Sequence, residues 1–353
     1  MNATMLTTPP PSLLQTDDMD SEHGDAKIAV GLLDSIENDL KQVEDRLRQE
    51  TRSDIGAVRE ISDHTLLAGG KRLRPALALL CGRVVERTFP ANRAYAAAAA
   101  AELIHMATLM HDDVVDEAPE RRGVATAGSV YGNGIAVLTG DFLLAKSISL
   151  LAHNDENLHI VRVFSDICVA MAEGEVLQAS IAHNMDIPVE TYNEVIERKT
   201  ARFLAGCCEM GGLLGDATEA EAAALRAYGH HLGMAFQIAD DLLDFVGDPK
   251  KTGKPLGTDL RDGRVTLPLL HALRTGDAES RTQLRGLLAL PSLTDADIAT
   301  ITAIIARLGG FAAAHQTALE RAERAVLELS RFPHNPYRDA MEHLARFVVV
   351  RDK

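Results

Sequence analysis

An all-α fold, a single large helical bundle, is what the sequence predicts, on three observations. Aromatic residues are only 4% of the chain and Trp is absent, while alanine and leucine, the strongest helix formers, abound. Apolar residues recur at every third or fourth position over long stretches. No segment shows the strict alternation that a half-buried strand requires.

The elements follow in chain order. Residues 1–26 hold TTPPPSLL and DDMDSEHGD, dominated by proline and acid, and predict a disordered tail. Residues 27–353 predict one all-helical domain, because no later composition shift marks a boundary. IAVGLLDSIENDLKQVEDRLRQ opens it with helical apolar spacing. AYAAAAAAELIHMATLMHDDVVDEA is the strongest helix and stops at Pro119. GIAVLTGDFLLAKSISLLAH and LHIVRVFSDICVAMAEGEVLQASIAH predict two apolar helices, and ETYNEVIERKTARFLAGCCEMGGLLG and EAEAAALRAYGHHLGMAFQIADDLLDFVGD two more. GDPKKTGKPLGTDLRDGRVTLPLL, rich in Gly, Pro and Lys, predicts a long loop, and loops of that length are often lids. Amphipathic helices continue to EHLARFVVVRDK.

The chain has 353 residues, 46% hydrophobic and 25% charged, enough for a large core. Its formal charge of −15 argues against nucleic acid as a partner. Polyphosphates remain open if a divalent cation reverses the local sign. Cys81, Cys168, Cys207 and Cys208 show no C-x-x-C spacing and read as reduced core thiols of a cytoplasmic protein. No apolar run of about 18 residues is free of charge, so no membrane span is expected. The N-terminus lacks the basic-then-apolar pattern of a secretory leader.

One pattern recurs. DDVVD supplies Asp112, Asp113 and Asp116, and DDLLD supplies Asp240, Asp241 and Asp244, with Asp248 one turn further on. On a helix, positions i, i+1 and i+4 fall at about 0°, 100° and 40°, so each triad shares a face. A single D-D-x-x-D is as consistent with a solvated helix end as with a site. Chance supplies roughly 0.07 such motifs in a chain of ordinary composition and this length, and both copies here follow apolar helices. Six convergent carboxylates suit a hard, oxygen-ligated cation, and Mg²⁺ completes its shell with water and substrate phosphate. The spacing fits neither a calcium-binding EF-hand loop nor a structural zinc site.

Cations lie near the acids. GGKRLRP holds Lys71, Arg72 and Arg74 beside two glycines, where arginine forks match phosphate oxygens; a solvated basic cluster is the alternative. Arg121 and Arg122 follow the first motif, Lys199 and Thr200 sit in ERKTA, and the loop adds Lys250, Lys251, Lys254, Arg261 and Arg264. His105 lies two turns before Asp112 on the acid face, open between a core histidine and a site residue.

These pieces resemble the trans-type (E-) polyprenyl diphosphate synthases. GGKRLRP, LIHMATLMHDDVVDEAPERRG, AEGEVLQ, RKTARF, GMAFQIADDLLDFVGD and GKPLGTDLRDGRVTLPLL occur in family order over residues 65–270. The resemblance implies the isoprenoid synthase fold, a helical bundle around a deep central cavity, and a homodimer. It implies head-to-tail condensation of isopentenyl diphosphate with an allylic diphosphate, dependent on about three Mg²⁺ ions. Asp112, Asp113, Asp116, Asp240, Asp241 and Asp244 would hold the metal. Arg121, Lys199 and Lys254 would contact the allylic diphosphate, and Lys71, Arg74, His105 and Arg122 isopentenyl diphosphate. Thr200 and Gln237 sit where the family steadies the developing cation. Arg264 replaces the lysine common in the family, keeping the charge.

Product length turns on the helix before Asp112. Ala107 and Thr108 stand where short-chain members carry bulky aromatics, and Ala101 lies three turns below Asp112, roughly 16 Å away. These small residues predict an open tunnel and a long all-trans product of about seven to ten isoprene units. Phe164 is a candidate floor residue, with ordinary core as the alternative. Alternatives within the family are a farnesyl or geranylgeranyl diphosphate synthase and the catalytic subunit of a two-component heptaprenyl-type synthase. A terpene cyclase fits less well, because DDLLDFVGD is not its usual second motif and aromatics are few. Transient membrane contact at product release stays open.

Overall fold

The computed structural model describes residues 34–67, 72–121, 123–247 and 255–350. The expected N-terminal tail lies outside them. A 3-10 turn, Asp34–Ile36, leads into α1 (Glu37–Glu50), followed by α2 (Gly56–Leu67), α3 (Leu73–Val84) and α4 (Ala91–Val115). A short α5 (Ala127–Tyr131) precedes α6 (Asn133–Asn154) and α7 (Leu158–Ser180). Next come α8 (Val189–Ile196), α9 (Arg202–Leu214), α10 (Glu219–Val246) and α11 (Thr258–Arg261). The chain closes with α12 (Leu267–Thr275), α13 (Ala278–Leu288), α14 (Asp295–Arg307), α15 (Gly310–Glu328) and α16 (Pro336–Val350).

The alanine run makes α4 the central helix. Ala96 to Ala101, Leu103 and Ile104 are all buried, so the helix is enclosed on every side rather than amphipathic. Small side chains let α1, α3 and α6 pack close around it. On the other side α10 lies between α9 and α15, and α9 also packs on α3. Thr218 and Glu221 start α10 with a reciprocal capping box.

Four local features refine the expected elements. The stretch from Glu190 to Gly215 is helical almost throughout, with a π turn over Glu197–Ala201 joining α8 to α9. The loop read as ending at Leu270 ends earlier: α11 interrupts it, and α12 begins at Leu267 with proline in its first turn, where the missing N–H costs nothing. A two-residue hairpin pairs Glu120–Arg121 with Val124–Ala125, too short to leave an alternating pattern, and Gly123 turns it at φ 74°. Finally, α6 is long and apolar enough by composition to cross a membrane, although Asp141 and Lys146 interrupt its apolar run. It packs along α4.

Candidate active site

A cavity of about 760 Å³ opens among α4, α7, α8, α9, α10 and the segment 255–266. Asp112 and Asp116 from the end of α4 line it, and so do Asp240, Asp241 and Asp244 from α10. Two motifs 128 residues apart (240 − 112) therefore share one cleft.

The six acids are not equivalent. Asp113 is not among the lining residues and accepts a bond from Arg121 Nε at 2.6 Å. Asp241 is 5% exposed, and both its oxygens are occupied: Tyr192 Oη donates to one at 2.6 Å and Gln237 Nε2 to the other at 2.9 Å. Burial, with Asp259 nearby, pushes this carboxyl well above the usual range, against the pull of those donors. Asp244 accepts the main-chain N–H of Thr258 and of Asp259, both at 3.1 Å, and so anchors the N-terminus of α11. Asp116 receives Arg264 Nη2 at 3.1 Å, which ties the first motif to the segment after α11.

Half-buried Asp112 is pushed up to about 6 by burial first and by repulsion from Glu175 second, while Lys199 and Arg121 pull it back. Among the described residues, no three acid, histidine or cysteine side chains gather closely enough to hold a metal alone. The lining acids still suit a hard cation that takes its remaining ligands from water and diphosphate, as Mg²⁺ ordinarily does.

Lys199 and Thr200 ride on the π turn, an irregularity found frequently at functional sites. The turn approaches α7 closely, since a Cβ on Gly174 would lie 2.9 Å from Lys199 N. Lys199 Nζ pairs with Glu175 at 2.6 Å and donates to Gln178 at 3.3 Å. Thr200 Oγ1 donates to Gln237 Oε1 at 2.8 Å, completing the chain Thr200–Gln237–Asp241–Tyr192. Tyr192, Glu175 and Gln178 were not singled out from sequence; AEGEVLQ carried the last two only as part of a resemblance.

Arg74, His105, Arg121 and Arg264 also line the cavity. The Arg74 guanidinium stacks on Phe203 at 4.7 Å from the ring centre. Lys71, Arg122 and Lys254 lie outside the described residues, as do Asp248, Lys250 and Lys251.

Below the charged mouth the wall is apolar. Ala107 and Thr108 line it as expected, with Ile104, Leu144, Cys168, Met171 and Phe203. Ala101 and Phe164 do not line it. Each is buried about one turn beyond the last lining residue of its helix, Ile104 on α4 and Cys168 on α7. Both are core residues set one turn behind the cavity wall. Cys168, read as core, faces the cavity instead.

The sequence profile of the polyprenyl synthetase family matches residues 56–305. The chain is 36% identical to octaprenyl diphosphate synthase of Escherichia coli (strain K12) over 315 residues, covering 89% of this chain and 96% of that one. It is also 36% identical to heptaprenyl diphosphate synthase component 2 of Geobacillus stearothermophilus, covering 90% and 97%. Among solved structures, polyprenyl synthase from Caulobacter crescentus CB15, complexed with calcium and isoprenyl diphosphate, superposes with a TM-score of 0.87 at 34% identity. That match covers 92% of this chain and 98% of the other. Matched along most of its length by family profile, relatives and fold, the chain belongs to the polyprenyl synthetase family.

Proposed function

We propose that this prenyltransferase condenses isopentenyl diphosphate with an allylic diphosphate, head to tail, to build a long-chain all-trans polyprenyl diphosphate. One observation carries the reading: both aspartate motifs and a set of cations crown a single cavity whose depth is apolar. Charge at the mouth suits the diphosphate, and the apolar wall suits a hydrocarbon.

Asp112, Asp116, Asp240, Asp241 and Asp244, the motif acids that line the cavity, would hold Mg²⁺, while Asp113 lies off the wall against Arg121. When bound, the metal neutralises the diphosphate as it leaves. Arg121, Lys199 and Arg264 add fixed positive charge at the same place. Breaking the allylic C–O bond leaves a carbocation. The isopentenyl double bond attacks it, and a proton departs to the released pyrophosphate. Thr200 gives its hydroxyl hydrogen to Gln237, so its oxygen offers the cavity only lone pairs, the polarity an adjacent cation needs. Apolar residues keep water from that cation. Arg74 and His105 take isopentenyl diphosphate.

The test is incubation with Mg²⁺, labelled isopentenyl diphosphate and farnesyl diphosphate. A ladder ending at about seven to ten isoprene units is expected, in keeping with the octaprenyl and heptaprenyl relatives. Ala107→Phe places an aromatic on the lining wall, so products should shorten by several units on thin-layer chromatography. An unchanged ladder removes Ala107 from chain-length control.

The active unit is proposed to be a homodimer. Ile135, Leu138 and Ile148 on α6 and Val169 and Val176 on α7 expose large apolar side chains along two helices, more than scattered surface residues usually do. Sedimentation should give about twice the 38.1 kDa chain mass. A second reading follows from the heptaprenyl component 2 relative: this face receives a different subunit. A monomer that is inactive alone would favour it.

A further inference from the structure

Arg72 of GGKRLRP has no role in the assignments above, yet the fold commits its side chain to several elements at once. It precedes α3 in the left-handed region, at φ 48° and ψ 38°, where non-glycine residues are uncommon. Its guanidinium spreads over three helices. Nε donates to Glu44 Oε1 on α1 at 2.5 Å, and Nη1 to Glu102 Oε1 on α4 at 2.8 Å. Nη2 reaches the Leu66 carbonyl near the end of α2 at 3.4 Å. The Arg72 side chain is 12% exposed and that of Glu102 only 5%, so each charge depends on the other for its burial.

The placement matters for what lies alongside. Arg74, two residues on, lines the cavity against Phe203 of α9. His105, one turn after Glu102 on α4, lines it too. We infer that Arg72 is a positioning residue, which with Glu102 and Glu44 sets Arg74 and His105 at the spacing isopentenyl diphosphate requires. The guanidinium fork holds three acceptors in one plane, and a lysine cannot reproduce that. The inference rests on the assignment of Arg74 and His105 to isopentenyl diphosphate.

Steady-state kinetics and melting curves on Arg72→Lys and Glu102→Gln test it, with Arg74→Ala as reference. Arg72→Lys and Glu102→Gln are each expected to raise KM for isopentenyl diphosphate about tenfold, a cost in keeping with small misplacements of binding groups. KM for the allylic diphosphate and kcat should stay within about twofold, and the double variant should be no worse than the poorer single. Should Glu102→Gln fail to fold, Glu44→Gln, at the more exposed arm, is expected to show the same split at smaller size. If both KM values rise together as melting temperature falls, the role is general stability and the inference is overturned. If Arg74→Ala raises KM for isopentenyl diphosphate while the Arg72 and Glu102 variants do not, the positioning role alone fails. If Arg74→Ala leaves that KM unmoved, the substrate assignment fails and takes the inference with it.

Discussion

Asp112→Asn and Asp240→Asn are each expected to lower kcat by about three orders of magnitude, roughly 4 kcal/mol of transition-state stabilisation. Asparagine keeps the shape of the side chain and removes the charge that a cation on the diphosphate needs. The two acids come from helices far apart in sequence but line the same cleft, so they act on one group. The double variant should therefore fall little below either single, as residues acting as a unit do. Rates within tenfold of the parent protein would remove these acids from the chemistry. The raised pKa of Asp112 adds a pH signature. Above about pH 6 its carboxylate is free to ligate; below that a proton competes, because burial and Glu175 favour the neutral form. Titration calorimetry with Mg²⁺ alone should show affinity falling about tenfold per pH unit below that point. Asp112→Asn should abolish the dependence, and a flat profile down to pH 5 in the parent protein would count against Asp112 as a ligand.

Gly211→Val is expected to destabilise the fold by about 3 kcal/mol, the upper end of overpacking costs. A Cβ at Gly211 would run into the Ala78 carbonyl of α3, with the Ala78 carbonyl carbon at 2.9 Å and Cys81 Cβ at 3.0 Å. Main chain cannot rotate aside as a flexible side chain can, so α3 and α9 must separate. Those helices bring Arg74 and Phe203 together, and the variant should also weaken isopentenyl diphosphate binding. Urea unfolding measures the loss. Gly286→Ala is the control: a Cβ there meets nothing within 4 Å, and the change should be neutral or slightly stabilising. Equal stability of the Gly211→Val and Gly286→Ala proteins would show that the close approach carries no energetic weight.

Much of the site was legible because its signals are local. The D-D-x-x-D spacing puts three carboxylates on one helical face wherever the helix goes, and Asp112, Asp240 and His105 were readable from it. The same locality says nothing of how Asp113, Asp241 and Asp244 are held. Identical in the motif, they differ in partners: Arg121, the pair Tyr192 and Gln237, and the start of α11. Phe164 shares a helical face with Cys168, and periodicity cannot say that the cavity stops between them. The π turn within ETYNEVIERKTARFLAGCCEMGGLLG is a matter of hydrogen bonds reaching one residue further, which residue type alone does not reveal.

By itself the sequence determined that the chain is helical and that it carries two acid clusters with cations nearby, a pattern that suits a polyanion and a hard metal. Propensity, periodicity and motif spacing are properties of neighbouring residues, so they survive without a fold. Only the tertiary structure decided which acids face the cavity, where its apolar depth ends, and that Arg72 ties three helices together. Those outcomes rest on partners far apart in the chain, such as Arg264 with Asp116, 148 residues away, and on backbones close enough at Gly211 to exclude a single methyl group. Such contacts exist only once the helices have packed.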